Sequence, residues 1–205
     1  LFATLLATLQ VMMGRLANAN DVVVAVPTAG QSLLDGEILV GHSVNFLPIR
    51  AAFDPQAPFA THLQNAKKQV LDAYEHQDFT FGTLVRKLGV KRDPNRLPLT
   101  EIQFNLERIA DGVEFGGVKA TITPNPKAFS NFDIFWNVVE SDDGLRIDCD
   151  FNTDVFDAST IQRWVSHYRA ILSALAANMS LKVAELPMHG PAEINWLIDA
   201  LNDTR

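Results

Sequence analysis

Cysteine is almost absent from this sequence, because Cys149 is the one cysteine among 205 residues. A single thiol forms no internal disulfide and no cysteine-rich metal site, so the fold must depend on its hydrophobic core. The same scarcity favours a reducing compartment, and we expect a cytoplasmic protein. Hydrophobic residues make up 47% and charged residues 20%, which is typical of a globular domain and argues against disorder.

Concentrated positive charge is also lacking. The formal net charge is −7 at pH 7, and adjacent basic residues occur only in short runs such as Lys67 with Lys68 and Lys91 with Arg92. A surface that follows a phosphate backbone needs more basic residues in one place, so we expect no nucleic-acid partner.

The apolar opening segment resembles the hydrophobic core of a signal peptide, but it has no basic leader. Its apolar residues recur every three or four positions from Phe2 to Leu16, while Thr4, Thr8 and Arg15 fall on another face. This pattern predicts a half-buried helix and gives no reason to expect a membrane partner. No Met and no capping residue precede that helix, which we interpret as a sign that the sequence is a fragment.

Motifs of metal, nucleotide and nucleophile sites are missing. There is no Gly-x-Ser-x-Gly elbow, no Walker loop and no dinucleotide glycine pattern. Asp148, Asp150 and Asp154 lack the glycine and the terminal glutamate of a calcium loop. The histidines are scattered without His-Glu-x-x-His spacing, so we expect no metal site. They are His42, His62, His76, His167 and His189.

Helical and strand-like periodicities are interspersed along the chain. The predicted helices cover 2–16, 57–74, 81–89, 157–178 and 191–201. The predicted strands cover 21–27, 43–50, 100–107, 113–124, 131–140 and 144–152, and the last two are expected to form a hairpin. This order predicts an α/β sandwich with a mixed sheet.

Some polar residues in this pattern allow two interpretations each. Asn45 and Asn105 interrupt apolar strands, so each amide either faces a cavity or has its hydrogen bonds satisfied within the core. His76 and Asp78 form either an acid–base pair or the junction between two helices, and the second alternative is favoured. His42, just before the second strand, either donates to a ligand or lies in a solvated turn.

Two specific blocks occur in the sequence, HQD-x-x-F at 76–81 and RD-x-x-R-x-P at 92–98. In order and spacing they resemble the condensation domains of nonribosomal peptide synthetases. "VGHSVNFLPIR" at 40–50 and "NFDIFWNVVE" at 131–140 add to the resemblance, and the closing "INWLIDALNDTR" is similar to the lead into an adenylation domain.

The resemblance implies a chloramphenicol-acetyltransferase-like lobe, a two-layer sandwich whose mixed β-sheet is flanked by helices. Residues 1–188 would be the C-terminal lobe of a condensation domain, incomplete at its N-terminus, and residues 189–205 a linker towards an adenylation domain. Such domains join a carrier-bound acyl or peptidyl donor to an aminoacyl acceptor through an amide bond. Their HHxxxDG motif does not occur in this sequence. We therefore expect no catalytic residue here, and a fragment that is inactive alone.

The resemblance also implies roles for individual residues. It implies a substrate-tunnel lining made by His42, Ser43 and Asn45. It implies a structural role for two sets of motif residues, His76, Gln77 and Asp78 in the first block, and Arg92, Asp93 and Arg96 in the second.

The expected partners are the N-terminal lobe, peptidyl carrier proteins and an adjacent adenylation domain. No cofactor would be bound directly, since the substrates would arrive on phosphopantetheine arms of the carrier proteins. The alternative is a noncatalytic module that docks a carrier protein or another synthetase domain. An epimerisation domain of the same fold would need the same missing histidines.

Overall fold

The computed structural model describes residues 1–30, 40–91, 93–94, 96–108, 116–117, 125 and 127–200. Helices and strands are interspersed along these residues, as predicted. The helices are α1 (Phe2–Leu16), α2 (Phe59–Glu75), α3 (Phe81–Lys87), α4 (Ala158–Ala177) and α5 (Pro191–Asn195). The strands are β1 (Asp21–Thr28), β2 (Asn45–Ala52), β3 (Ile102–Arg108), β4 (Ile134–Ser141) and β5 (Gly144–Phe151). A 3₁₀ turn covers Val183–Glu185, and a π-helical turn, Trp196–Ala200, follows α5.

The five strands form one mixed sheet in the order β2-β1-β3-β4-β5. β3 is parallel to both β1 and β4, whereas β4 and β5 are the predicted antiparallel hairpin, with Ser141 opposite Gly144 across its turn. β2 occupies an edge of this order, which suits Pro48, because proline has no backbone N–H to donate to a neighbouring strand.

Two compact units divide the described chain. The first contains Leu1–Val23, Ile49–His76 and Asp157–Arg205, and the second contains Val24–Pro48 and Gln77–Phe156. Helices α1, α2, α4 and α5 belong to the first unit. The second contains α3 and strands β3, β4 and β5.

Helix α1 lies at the centre of the first unit, in contact with both α2 and α4. The expectation that it is half-buried is wrong, because every residue from Leu5 to Gly14 is buried. The pattern predicted that Thr8 lies on an exposed face. Thr8 can be buried because its hydroxyl donates a hydrogen bond within the helix, to the carbonyl oxygen of Thr4 at 2.8 Å. Tyr168 of α4 reaches the same helix and donates to the carbonyl oxygen of Leu5 at 2.9 Å.

Helix α3 begins at the predicted residue, Phe81, and ends at Lys87, two residues before the predicted end. Thr80 is the N-cap, and its side chain accepts a hydrogen bond from the backbone N–H of Thr83. Gly89 follows the helix with a φ of 62°, the left-handed conformation that glycine adopts without strain.

One further prediction falls mostly outside the described residues. Of the predicted strand at 113–124, only residues 116–117 are described. No helix among the described ranges is both long and apolar enough to cross a membrane.

Candidate functional site

The side chain of Asn45, at the start of β2, makes hydrogen bonds to the backbone of the segment that precedes α3. Its Nδ2 donates to the carbonyl oxygen of Gln77 at 2.9 Å and to that of Phe79 at 3.4 Å. Its Oδ1 accepts from the backbone N–H of Phe81 at 2.9 Å. The amide therefore has its hydrogen bonds satisfied within the protein, which favours the second of the two interpretations of Asn45.

Aromatic contacts hold the same segment through its side chains. The ring of Phe46, next to Asn45, meets Phe81 edge-on with centroids 6.5 Å apart, and meets Phe132 edge-on at 5.2 Å. Edge-to-face pairs of this kind stabilise beyond the apolar area that they bury. Phe81, the last residue of the first sequence block, is thus fixed both at its backbone N–H and at its ring.

A groove of about 520 Å³ lies where α3 faces the second sequence block. Seven residues line it: Phe81, Gly82, Val85, Asp93, Pro94, Leu97 and Pro98. The two blocks at 76–81 and 92–98 therefore border the same groove, a relationship that spacing alone does not reveal. Asp93 is the one charged residue among these seven, and no histidine is among the described residues that form the groove.

The second block also contacts the strand that follows it. The guanidinium of Arg96 forms an ion pair with the carboxylate of Glu101 at 3.1 Å, just before β3 begins. Both side chains are substantially exposed, so this pair contributes little stability. Arg92, the first residue of the block, lies outside the described residues.

The residues predicted to line a tunnel occupy two kinds of environment. Ser43 is partly buried and its hydroxyl donates to the carbonyl oxygen of Ala29 at 2.6 Å, whereas the His42 side chain is exposed. Gly30 has a φ of 62°, and a Cβ there would collide with the carbonyl oxygen of Ser43. Residues 29–30 and 43 therefore lie in close contact, while a tunnel lined by His42, Ser43 and Asn45 stays a prediction.

His76 lies at the end of α2, and Asn105 lies on β3. His76 is the exposed C-cap residue of α2. Asn105 donates to Oδ1 of Asn137 on the neighbouring strand at 2.9 Å, and Asn137 donates to Glu107 at 2.9 Å. This chain of hydrogen bonds satisfies the Asn105 amide as well, and sequence reasoning missed it because the partners lie on different strands.

Two of the three aspartates that raise the question of calcium, Asp148 and Asp150, pair with basic side chains. Asp148 pairs with Arg146 and Asp150 with Lys127, each at 2.9 Å. The hydrogen bond and charge of Asp148 raise the pKa of Arg146.

The two buried histidines belong to the first unit. His62 packs edge-on against Phe53 and Phe59, and burial lowers its pKa to about 4, although the backbone of Ala7 opposes the shift. It is neutral at pH 7 and enclosed by aromatic rings, an environment typical of a core residue. The Nε2 atom of His167 lies 3.0 Å from the carboxylate of Glu193.

Comparison with known proteins identifies the family of this chain. A model of the Condensation domain family matches residues 1–198. The chain belongs to the condensation-domain family. This confirms the resemblance drawn from the sequence blocks.

Curated relatives of this condensation-domain chain are much longer proteins. It is similar to Gramicidin S synthase 2 of Brevibacillus brevis, with 33% identity over 207 residues that cover 100% of this chain and 5% of the relative. The chain thus spans about one twentieth of the length of that relative.

Solved structures share its fold. One is a four-domain nonribosomal peptide synthetase in the holo form, bound to AMP and glycine, with a TM-score of 0.78, 24% identity, and coverage of 95% of this chain and 16% of that one. Another is the condensation domain of the Monacolin K polyketide synthase, with a TM-score of 0.76, 21% identity, and coverage of 89% and 42%. These similarities confirm the predicted α/β, chloramphenicol-acetyltransferase-like fold with a mixed sheet.

Proposed function

We propose that this chain is the C-terminal portion of a condensation domain in a nonribosomal peptide synthetase, and that the complete domain joins two carrier-bound substrates through an amide bond. The observation that carries the proposal is the groove bordered by both family-specific sequence blocks. The match of the family over residues 1–198 supports it. The coverage of a solved condensation domain also supports it, because this chain matches 42% of that domain and one of two lobes would make up a similar share.

The reaction would replace a thioester with an amide. The acceptor amine, once deprotonated, attacks the donor carbonyl, a C–N bond forms, the C–S bond breaks, and the released thiolate takes up a proton. The substrates would be held on phosphopantetheine arms of peptidyl carrier proteins, so this chain itself would need no bound cofactor. Holding both substrates in one passage makes a bimolecular reaction effectively unimolecular, which lowers its free-energy barrier.

The part played by this chain would be to shape that passage and not to move the proton. The HHxxxDG motif occurs nowhere in the 205 residues, and we assign it to the N-terminal lobe of the domain. Asn45 would contribute indirectly, because its three hydrogen bonds fix the backbone that leads into the groove. His42 and Ser43 would line the passage beside it, and Arg92, Asp93 and Arg96 would brace the lobe.

The boundaries and neighbours are part of the same proposal. Residues 1–188 would form the lobe, and residues 189–205 would lead towards an adenylation domain. The partners would be the N-terminal lobe, the carrier proteins and that adenylation domain. The cytoplasmic location inferred from the single cysteine stays a prediction.

The test compares this chain alone with the same chain joined to the N-terminal lobe of its own synthetase. Both proteins receive donor and acceptor carrier proteins loaded with a panel of aminoacyl groups, and dipeptidyl thioester is measured by mass spectrometry of the acceptor carrier. We expect product only from the joined protein, and none when the second histidine of its HHxxxDG motif is replaced with alanine.

Two results would contradict the proposal. Amide formation by this chain alone would show that the proton-transfer group lies within these residues. No product from the joined protein, together with measurable binding of carrier protein to this chain, would favour the noncatalytic docking module instead.

A further inference from the structure

Three side chains capable of binding a metal converge in the first unit, outside the groove. His167 projects from α4, His189 precedes α5, and Glu193 belongs to α5. The carboxylate of Glu193 lies 3.0 Å from Nε2 of His167 and 3.2 Å from Nδ1 of His189. One ligand atom from each residue lies within 4.8 Å of the others.

We propose that His167, His189 and Glu193 form a binding site for a Zn²⁺ ion. Zinc is commonly bound by imidazole nitrogens and carboxylate oxygens, and two histidines with one glutamate leave a fourth position for water. Zinc–ligand bonds of about 2.0–2.2 Å place neighbouring ligand atoms roughly 3–3.5 Å apart. Both distances to Glu193 fit this range, and the three ligand atoms, which lie within 4.8 Å of one another, would come closer together on binding a metal.

The shape of the cluster suits an ion that enters from solvent. The exposed fraction of the side chain rises from 5% for His167 through 21% for Glu193 to 45% for His189. The site is therefore closed on the α4 side and open at His189. The two imidazole rings meet edge to face, with centroids 4.9 Å apart and an interplanar angle of 84°.

The lack of a second hydrogen bond on His167 limits the affinity for zinc. Its Nδ1 is buried and has no hydrogen-bond partner among the described residues. Histidine ligands usually donate their other N–H to a neighbouring group, and loss of such a partner typically weakens metal binding about 10–100-fold. We therefore expect Zn²⁺ to bind with moderate affinity, weaker than in a structural zinc domain.

This site cannot be recognised from a sequence motif. His167 and His189 are separated by the end of α4 and the 3₁₀ turn, so no short motif contains both. An ion held by all three residues would tie the segment at 189–193 to α4. This inference does not depend on the proposed amide formation, because the ligands and their test lie within the chain itself.

The experiment uses the untagged chain after treatment with a chelator. Zinc chloride is titrated into it by calorimetry, and Co²⁺ is added separately as a spectroscopic probe of low-coordinate nitrogen and oxygen ligation. His189→Gln and Glu193→Gln remove proposed ligands. His76→Gln is the matched control, because it removes another exposed histidine from the same unit.

We expect one Zn²⁺ per chain in the parent protein and in His76→Gln. In His189→Gln and Glu193→Gln we expect the affinity to fall at least about tenfold and the visible Co²⁺ absorption to be lost. Because His189 is largely exposed, its replacement should leave the fold intact, which circular dichroism verifies. Absence of saturable zinc binding, or equal binding by His189→Gln and His76→Gln, would overturn the site.

Discussion

The side-chain oxygen of Asn45 accepts a hydrogen bond from the backbone N–H of Phe81 at 2.9 Å, and so links β2 to the first residue of α3. The N–H at the start of a helix has no partner within the helix, so Asn45 satisfies a donor that would otherwise be unpaired. The same amide holds the carbonyl groups of Gln77 and Phe79. One side chain thus fixes the path of the HQD-x-x-F block.

Replacing Asn45 with alanine should destabilise the protein. The change removes three hydrogen bonds and leaves backbone groups of the 77–81 segment without partners, so we expect the free energy of unfolding to fall by about 1–3 kcal/mol. Urea denaturation followed by circular dichroism measures this. Asn65→Ala is the matched control, because Asn65 is exposed on α2 and its loss should cost nothing.

Asn45→Asp refines the same prediction. Aspartate keeps an oxygen that accepts from Phe81 but places its other oxygen, also an acceptor, against the carbonyl oxygens of Gln77 and Phe79, so at neutral pH it should be no more stable than Asn45→Ala. If all three proteins unfold at the same urea concentration, the hydrogen bonds seen around Asn45 do not contribute to stability.

The helices and strands could largely be predicted from the sequence because their signals are local. Thr80 and Gly89 bracket α3 as N-cap and C′ residues, and the period-two pattern at 100–107 corresponds to β3. Helix α1 was predicted less well, because a fully buried Thr8 has the same position in the pattern as an exposed one would. Burial on several sides depends on neighbouring helices that periodicity does not include.

The candidate site could be predicted only in part. An asparagine inside an apolar strand is a visible anomaly, so Asn45 could be singled out, but its partners lie 32 to 36 residues away. The shared groove of the two blocks, and the meeting of His167 with Glu193, likewise depend on how the chain returns on itself. Such contacts are set by tertiary packing and leave no mark in local spacing.

His62 should make the protein sensitive to mild acid. Burial lowers its pKa from 6.5 to about 4, so between these pH values the unfolded chain binds a proton at this residue and the folded chain does not. The free energy of unfolding is therefore at its full value above about pH 6.5 and decreases as the pH falls towards 4. We expect this residue to account for about 3 kcal/mol of the loss between these limits.

The measurement is the urea midpoint as a function of pH for the parent protein and for His62→Phe, whose ring should pack with Phe53 and Phe59. The variant should show a flatter decline between pH 6.5 and 4, whatever its stability at neutral pH. Identical slopes would mean that His62 is not held neutral by its surroundings.

Cys149 should react slowly with alkylating agents in the folded protein. Burial, followed by the charge of Asp150, raises its pKa to about 12, and the thiolate is the reactive form. At pH 8 we expect alkylation by iodoacetamide to be at least about a hundredfold slower than in the denatured chain. Mass spectrometry of timed samples measures both rates, and comparable rates would show that the thiol is accessible and normally acidic.

Gln10 offers a way to stabilise the protein. Its side chain is fully buried in α1, and neither amide atom has a hydrogen-bond partner among the described residues. An unsatisfied buried polar group costs about 1–3 kcal/mol, whereas methionine has a similar length and no strong hydrogen-bonding group. We therefore expect Gln10→Met to raise the urea midpoint without changing the slope of the transition.

Thr8→Val is the matched control for Gln10→Met, because both residues are fully buried in the same helix and only Thr8 has its polar atom satisfied. Valine removes the hydroxyl that donates to Thr4, so this variant should gain nothing. A gain confined to Gln10→Met would show that the cost comes from the unpaired amide and not from polarity in α1 as such. A loss of stability in Gln10→Met would contradict the prediction and show that the buried amide stabilises the folded protein.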